Sequence, residues 1–281
     1  MSESQVKQYY TAQVGKEWRR LVKDPYHRLE LDTTLHFLEK YLPEGGLMLD
    51  AGGGPGRYTL ELATRGHDVV LLDLTAANLA FARRQIKKAG IREQVKDVVE
   101  GSIVDLSRFK DDTFDGVVCT GGPLSHLLDP LDRDRAILEL IRVAKPGAPV
   151  FISVIGRLSV LIYDLYTAPE AIGLAHFKPM RDTGDFGGEN MFTCCHFFLP
   201  EEFRAAFDGK PVEVLAMAGL EGISSHQRRA LSRLRKNEEL WAIWMETHYQ
   251  TCTHLSIVGI SEHMLLVCRK LEPKCLHLPS V

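Results

Sequence analysis

The sequence has no long apolar run. No segment of its 281 residues approaches the roughly 18 to 20 consecutive apolar residues that a membrane-spanning helix takes. Residues 1–5 also lack the basic start and apolar continuation of a secretory leader. We therefore expect a soluble, cytoplasmic protein with no membrane partner.

Cysteines with the spacing of a zinc site are missing as well. The six cysteines include no C-x-x-C pair, which favours reduced intracellular thiols over a disulfide framework or a structural zinc site. Cys194, Cys195 and His196 are adjacent and suggest a metal or metalloid site, because thiolates are soft ligands. Their apolar flanks are more typical of a buried strand, so we predict no metal. The other cysteines are Cys119, Cys252, Cys268 and Cys275.

There is little excess charge of either sign. The 34 basic and 37 acidic residues leave a net charge of -3, which gives no general attraction to nucleic acid. One basic cluster lies on a predicted helix at residues 228–236, with Trp241 and Trp244 beyond it, as an RNA-binding surface would have. Acidic neighbours dilute its charge, so we predict a solvated cover helix and expect no nucleic-acid partner. The cluster comprises Arg228, Arg229, Arg233, Arg235 and Lys236.

Short apolar runs alternate with helical patterns between residues 47 and 155. Apolar residues make up 45% of the chain, enough for one large domain with a substantial core. The alternation predicts an α/β fold, doubly wound around a mostly parallel sheet. The predicted strands are residues 47–50, 69–73, 95–100, 114–120 and 149–155.

The alternation is absent from the two ends of the chain. A helix is predicted at residues 31–41, helical patterns occur in 156–198 and 226–250, and a closing strand is predicted at 263–269. We divide the chain into an N-terminal helical lid at 1–42, a core at 43–155, a cover insertion at 156–262 with a returning strand near 212–218, and a final strand and tail at 263–281.

A glycine-rich turn follows the first predicted strand and precedes a helix. It reads D-A-G-G-G-P-G from Asp50 to Gly56, and such a turn lets an anionic ligand approach backbone amides at a helix start. A dinucleotide fingerprint would need glycine where Arg57 stands, which argues against a dehydrogenase. The spacing D-x-G-x-G-x-G, with Asp73 ending the next predicted strand, resembles the first motif of class I S-adenosylmethionine-dependent methyltransferases.

The resemblance implies a Rossmann-like, seven-stranded sheet with an antiparallel C-terminal strand and a helical cover insertion. It also implies S-adenosylmethionine as cofactor, with S-adenosylhomocysteine as product, bound by residues 43–155. In this family the glycine loop wraps the methionine half, and the acid at Asp73 binds the ribose hydroxyls. Ser102 stands where many relatives carry an aspartate facing the adenine, so its hydroxyl or the Ile103 amide takes that contact. The implied cofactor-binding residues are Tyr10, Asp50, Gly52, Gly53, Gly54, Gly56, Asp73, Leu74, Ser102, Ile103, Thr120 and Gly121.

Two further segments resemble the ubiquinone-biosynthesis-like, small-molecule branch of this family. These are residues 52–58 and residues 122–127. Members often carry Tyr-Tyr-Asp near the N-terminus, whereas this chain has Tyr9, Tyr10 and Thr11. The resemblance does not identify the acceptor or the oligomeric state.

The loop after the fourth strand is expected to border the transferred methyl group, because reacting groups gather at the carboxyl ends of parallel strands. His126 in this loop is the candidate base or acceptor-orienting residue, the alternative being a histidine satisfied by the backbone. Tyr9, His27 and Glu30 are candidates for acceptor binding. The alternative for Tyr9 is that its ring serves only for packing. The alternative for His27 and Glu30 is a solvated helix start.

The sequence therefore favours methyl transfer to an O, N or S atom of a small molecule by in-line displacement. One alternative is an RNA (tRNA) methyltransferase that uses the basic helix at 228–236. Another is a non-catalytic cofactor-binding protein of the same fold.

Overall fold

The structure, a computed structural model, describes residues 2–188 and 192–272. Cys275 and the tail beyond residue 272 lie outside the described residues. The strands are β1 Leu47–Ala51, β2 Asp68–Asp73, β3 Val95–Glu100, β4 Gly116–Cys119, β5 Pro149–Ile155, β6 Asp185–Phe186, β7 Cys195–His196, β8 Val212–Gly219 and β9 His263–Lys270. The helices are α1 Ser2–Arg20, α2 Pro25–Tyr41, α3 Arg57–Thr64, α4 Ala76–Ala89, α5 Pro130–Val143, α6 Arg157–Thr167, α7 Phe177–Thr183, α8 Pro200–Ala205, α9 Arg228–Leu234, α10 Glu238–Thr251 and α11 Leu255–Val258.

A seven-stranded sheet forms the centre of the molecule, in the order β3-β2-β1-β4-β5-β9-β8. The pairs from β3 to β5 are parallel, and β9 runs antiparallel to both β5 and β8. The predicted mostly parallel sheet with an antiparallel C-terminal strand is confirmed. The last strand lies between β5 and β8, so the returning strand β8 forms the edge.

The strands are buried on both faces because helices cover the sheet on both sides. Alternate residues of one strand therefore enter different core clusters: Leu49 lies on one face and Met48 on the other. The strand order reverses between β1 and β4, which both leave the sheet at the same end. A crevice outside the carboxyl ends of the strands is expected at such a switch point.

The N-terminal region contains more helix than the sequence pattern predicted. Helix α2 begins at Pro25, six residues before the predicted start, and the Asp24 side chain caps it by accepting from the His27 amide at 3.0 Å. Asp followed by Pro is a helix-start signal, but the apolar period begins only at Leu31. Helix α1 has no apolar period strong enough to predict it, and it packs against α4 and the 3-10 turn Pro123–His126.

Two segments of the insertion differ from the predicted helical patterns. The pattern at 226–250 is two helices, α9 and α10, because Asn237 begins a new helix by accepting from the Leu240 amide. The glycine-rich turn near residue 184 leads into β6, which pairs with β7 as a small separate sheet. Within residues 2–188 and 192–272, no helix combines the length and the apolar character needed to cross a bilayer.

Candidate functional site

A cavity lies outside the carboxyl ends of β1, β2 and β4 and beneath α1. The open space within it, including its mouth, is about 970 Å³. Most of the predicted cofactor-binding residues line it. They are Tyr10, Gly52, Gly53, Gly54, Asp73, Leu74, Ser102, Ile103, Thr120 and Gly121, and His126 lies in the same wall.

The glycine loop between β1 and α3 has backbone geometry that excludes side chains. Gly52 has φ +74°, and a Cβ atom there would lie 2.5 Å from the Pro123 side chain. A Cβ atom at Gly53 would lie 2.4 Å from the carboxylate of Asp50. With no side chains between the loop and the cavity, the backbone is directly accessible to a ligand.

Asp73 at the end of β2 connects the glycine loop to the next helix. Its Oδ2 accepts from the Gly54 amide at 2.9 Å, and its Oδ1 accepts from the Thr75 amide at 2.8 Å and from Asn78 Nδ2 at 3.1 Å. Burial raises the pKa of Asp73, and these hydrogen bonds oppose the rise. The Thr75 side chain also hydrogen-bonds to this carboxylate, which lies at the cavity wall.

Asp50 and Gly56 lie outside the cavity wall, beneath the loop. Asp50 Oδ2 accepts from the Thr59 hydroxyl at 2.6 Å, and burial raises the pKa of Asp50 to about 7. A Cβ atom at Gly56 would lie 3.2 Å from Ala82. These two residues therefore shape the loop from below and do not line the cavity.

The other side of the cavity suits a flat, partly apolar group. Leu74, Ile103 and Leu127 line it, and the Asn78 Oδ1 atom is buried there without a hydrogen-bond partner in the described part of the chain. The Ser102 hydroxyl accepts weakly from the Val104 amide at 3.3 Å. An unpaired buried oxygen, an apolar flank and the Asp73 carboxylate together fit the purine and ribose of S-adenosylmethionine.

His126 is held by two hydrogen bonds from opposite sides. Its Nε2 lies 2.7 Å from the Tyr10 hydroxyl, and its Nδ1 lies 3.0 Å from the carbonyl oxygen of Cys194. The two residues of the Tyr10–His126 pair are 116 positions apart in the chain, and burial lowers the pKa of His126. The histidine that was predicted from its position after β4 thus meets a tyrosine of α1 at the cavity wall.

Arg20 is a cavity-lining residue that the sequence analysis missed. Its guanidinium binds the buried carboxylate of Glu30 through two nitrogens and also lies 3.1 Å from Glu17. In the same region, Arg57 stacks on the Trp18 ring at 3.8 Å and donates to the Trp18 carbonyl, which fastens α1 to α3. Only an i,i+3 acid–base spacing at residues 17 and 20 pointed to this site, and such pairs are common on exposed helices.

Glu30, His263 and Glu221 form a buried charge cluster behind Arg20. The His263 Nδ1 atom lies 2.8 Å from Glu221 and 3.7 Å from Glu30. Burial lowers the pKa of His263, but the two carboxylates raise it more, to about 9. The three side chains have the spacing of a metal site. However, Arg20 and the protonated His263 already balance the two carboxylates.

Three predicted acceptor-binding residues lie off the cavity wall. Tyr9 packs edge-on against Tyr10 and Phe192, with ring centroids 5.2 and 5.6 Å away. His27 binds the Asp24 carboxylate at the start of α2. Glu30 is buried and reaches the cavity only through Arg20.

The cysteine pair and the basic helix both have structural partners. Cys194 and Cys195 are buried, burial raises the pKa of the Cys195 thiol, and His196 binds Asp185 and Glu202 at 2.6 Å each. In the basic cluster, Arg228 pairs with Asp24 at 2.7 Å and Arg235 lies over the Trp241 ring.

Comparisons with known proteins agree with the geometry of the cavity. A family model described as a methyltransferase domain matches residues 48–147. A probable methyltransferase from Aspergillus luteorubrus is 27% identical over 223 residues, which are 75% of this chain and 76% of that protein. A ubiquinone biosynthesis O-methyltransferase from Methylococcus capsulatus is 30% identical over 64% of this chain and 67% of its own length. Two other curated methyltransferase relatives match over less than half of their own length.

The fold is also similar to that of solved methyltransferase structures. The crystal structure of an S-adenosylmethionine-dependent methyltransferase from Methanosarcina mazei has a TM-score of 0.59, with 20% identity, over 84% of this chain and 98% of that chain. The similar fold, the sequence relatives and the glycine-loop cavity all indicate the same family. The chain therefore belongs to the class I S-adenosylmethionine-dependent methyltransferases, with S-adenosylmethionine as its cofactor.

Proposed function

We propose that the protein transfers a methyl group from S-adenosylmethionine to an O, N or S atom of a small molecule. The observation that carries this proposal is a single cavity whose wall combines the glycine loop, the Asp73 carboxylate and the Tyr10–His126 pair. The loop and Asp73 suit the cofactor. The pair suits an acceptor that must be oriented beside it and relieved of a proton.

Three parts of the wall hold different parts of the cofactor in this proposal. The Asp73 carboxylate at the wall binds a ribose hydroxyl, and the apolar side chains of Leu74 and Ile103 flank the purine. Arg20 is a cation at the wall close to Gly121, and it suits the carboxylate of the methionine end. Thr120 and Gly121 border the same end, after β4.

The bound cofactor supplies a methyl group on a positively charged sulfur, so the protein must mainly align the acceptor and exclude water. Burial lowers the pKa of His126, which favours the neutral imidazole, the form that can take up a proton. Helix α1 covers the cavity and supplies the water-excluding side.

A small-molecule acceptor is favoured over tRNA for two reasons. The relative named as a ubiquinone biosynthesis O-methyltransferase supports a small acceptor. The basic helix α9 has its Arg228 engaged by Asp24. Binding to tRNA that weakens steeply with salt, and is lost on charge reversal at Arg229 and Arg233, would instead support the RNA alternative.

Calorimetric titration of the purified protein with S-adenosylmethionine, S-adenosylhomocysteine and NADH tests the proposal. We expect micromolar binding of the first two ligands and no binding of NADH. Binding of none of them, or a preference for NADH, would overturn the cofactor site proposed here. Tight cofactor binding without turnover of any amine, phenol or thiol would support the non-catalytic alternative.

A further inference from the structure

The hydrogen bonds of His126 determine which of its ring nitrogens carries the proton. The partner of Nδ1 is the backbone carbonyl oxygen of Cys194, which can only accept, so Nδ1 must be protonated. In the neutral ring Nε2 then has a free lone pair, and it accepts from the Tyr10 hydroxyl at 2.7 Å. The phenol of Tyr10 thus points its proton at His126.

Tyr10 of α1 and His126 both line the cavity. Burial raises the pKa of the Tyr10 hydroxyl, and His126 is buried as well. The Tyr10 ring contacts His126 edge-on at 5.4 Å, and the Tyr9 and Phe192 rings close the far side of the pair. After donating to His126, the hydroxyl oxygen of Tyr10 keeps lone pairs with which it can accept a hydrogen bond from an acceptor.

The other carboxylates near the cavity have partners or different positions. Glu3 lines the cavity from the exposed first turn of α1. Glu17 binds Arg20, and Asp73 accepts from three donors at the glycine loop. Asp50 lies beneath the loop, outside the wall. Among the described residues, the Tyr10–His126 pair is thus the group on the acceptor side that is arranged to receive a proton.

The need for such a pair depends on the acceptor atom. A neutral amine attacks with its lone pair and can lose its proton to water after the transfer. A thiol ionises readily, with a pKa of about 8.5, whereas a phenol has a pKa of about 10 and keeps its proton at pH 7. A hydroxyl acceptor gains most from proton removal during the attack.

We propose, building on the function proposed above, that the acceptor is a phenol-type hydroxyl compound and that Tyr10 relays its proton to His126. As the C–O bond forms and the C–S bond of the donor breaks, the acceptor proton moves to the Tyr10 oxygen. The original Tyr10 proton moves to His126 Nε2. The products are the methyl ether, S-adenosylhomocysteine and an imidazolium at His126, so the positive charge lost at sulfur is regained at the histidine.

In this scheme Tyr10 is the catalytic residue that touches the acceptor, and His126 receives the proton through it. The Cys194 carbonyl holds the ring in the required tautomer. The same contact favours the imidazolium, because it remains a hydrogen-bond acceptor for Nδ1–H after Nε2 is protonated.

The first test needs no acceptor. Nitrogen NMR of the S-adenosylhomocysteine complex, labelled at histidine, is expected to show His126 neutral at pH 7.5, with Nδ1 protonated and Nε2 free. His126→Gln assigns the signal. Tyr10→Phe, saturated with S-adenosylhomocysteine, is expected to shift the Nε2 signal and to leave Nδ1 protonated. A proton on Nε2 instead of Nδ1 would overturn the relay.

The second test compares phenol and catechol with aniline and thiophenol as matched amine and thiol acceptors. We expect methylation of the phenols, with kcat lowered about 100-fold or more in Tyr10→Phe and His126→Gln, and unchanged in Tyr163→Phe on the exposed face of α6. In the wild type, kcat should fall in acid as His126 is protonated, and Tyr10→Phe should lose this dependence.

The outcomes separate the relay from the underlying function. Faster methylation of aniline or thiophenol, undiminished phenol turnover in Tyr10→Phe, or no phenol turnover by a protein that binds S-adenosylhomocysteine would each overturn the relay and acceptor class alone. Failure of the wild type to bind either cofactor form would overturn the proposed function itself.

Discussion

The two sides of the cavity are held in different ways. The loop side, formed by residues 52–54, Asp73 and residues 102–103, is connected by contacts between the ends of neighbouring strands, such as the Gly54 amide to Asp73. The cover side, formed by Tyr10 and Arg20 of α1, depends on side chains far away in the chain, such as His126. The loop side is therefore encoded in local spacing, whereas the cover side exists only after the chain has folded.

The largest effect is expected from Asp73→Ala on the loop side. The change removes the acceptor for three donors and frees the Gly54 amide, so the affinity for S-adenosylhomocysteine should fall roughly a thousandfold, about 4 kcal/mol. Calorimetric titration measures this affinity. Asp68→Ala, at the exposed beginning of the same strand, is the matched control and should leave the affinity unchanged. Equal affinities in both variants would show that the loop side does not depend on Asp73.

The next effect concerns the charge cluster that supports the cover side. Because the pKa of His263 is raised from 6.5 to about 9, its contribution to stability is fully present below pH 6.5 and is lost as the pH rises through 9. His263→Gln should lower the free energy of unfolding by about 3 kcal/mol at pH 6, and by much less at pH 10. Urea unfolding of the wild type and the variant at both pH values measures this difference in the free energy of unfolding. A difference that stays constant with pH would contradict the protonated state of His263.

Arg20→Ala tests whether the cover side binds the carboxylate of the ligand. Loss of the guanidinium should weaken S-adenosylhomocysteine binding about 30-fold, near 2 kcal/mol, because the ligand carboxylate loses its cation. Binding of 5′-methylthioadenosine, which lacks the amino-acid end, should be unaffected. Arg19→Ala, exposed on the same helix, is the control. Equal weakening of both ligands would mean that Arg20 acts by holding α1 in place and not by binding the carboxylate.

The smallest effect is expected at the exposed edge of α1. Lys7 pairs with Glu100 at 3.3 Å, with both side chains about half exposed, and such pairs contribute less than about 1 kcal/mol. Lys7→Ala should change ligand affinity by no more than about twofold, and added salt should remove the difference. A tenfold change in affinity would mean that this pair closes α1 over the cavity.

The accuracy of the sequence predictions follows the same division. The seven-stranded sheet and the glycine loop were predicted correctly, because buried strands and turn glycines leave strong local patterns. Residues 1–42 were predicted as a helical lid, but only residues 31–41 were delimited as a helix. Helix α1 lies on the protein surface and has no apolar stripe that would mark its bounds. The site roles given to His27 and Glu30 remain predictions, and the structure brings neither to the cavity wall.

Arg57 has a structural role that the sequence does not indicate. In the sequence, it stands where a dinucleotide fingerprint would need glycine. In the structure it stacks on Trp18 and fastens the end of α1 to the helix that follows the glycine loop. A cation–π contact between residues 39 positions apart leaves no periodic signal, so only the folded chain reveals it.

The sequence by itself determined the sheet, the loop backbone and the position of Asp73, because steric limits on φ and the burial of apolar runs act over a few residues. The tertiary structure decided which side chains face the loop across the cavity: Tyr10 against His126, and Arg20 against Glu30. These pairs depend on how α1 and α2 dock. The docking of these helices depends on packing and charge contacts over their whole contact surface, and no local sequence motif encodes all of these contacts.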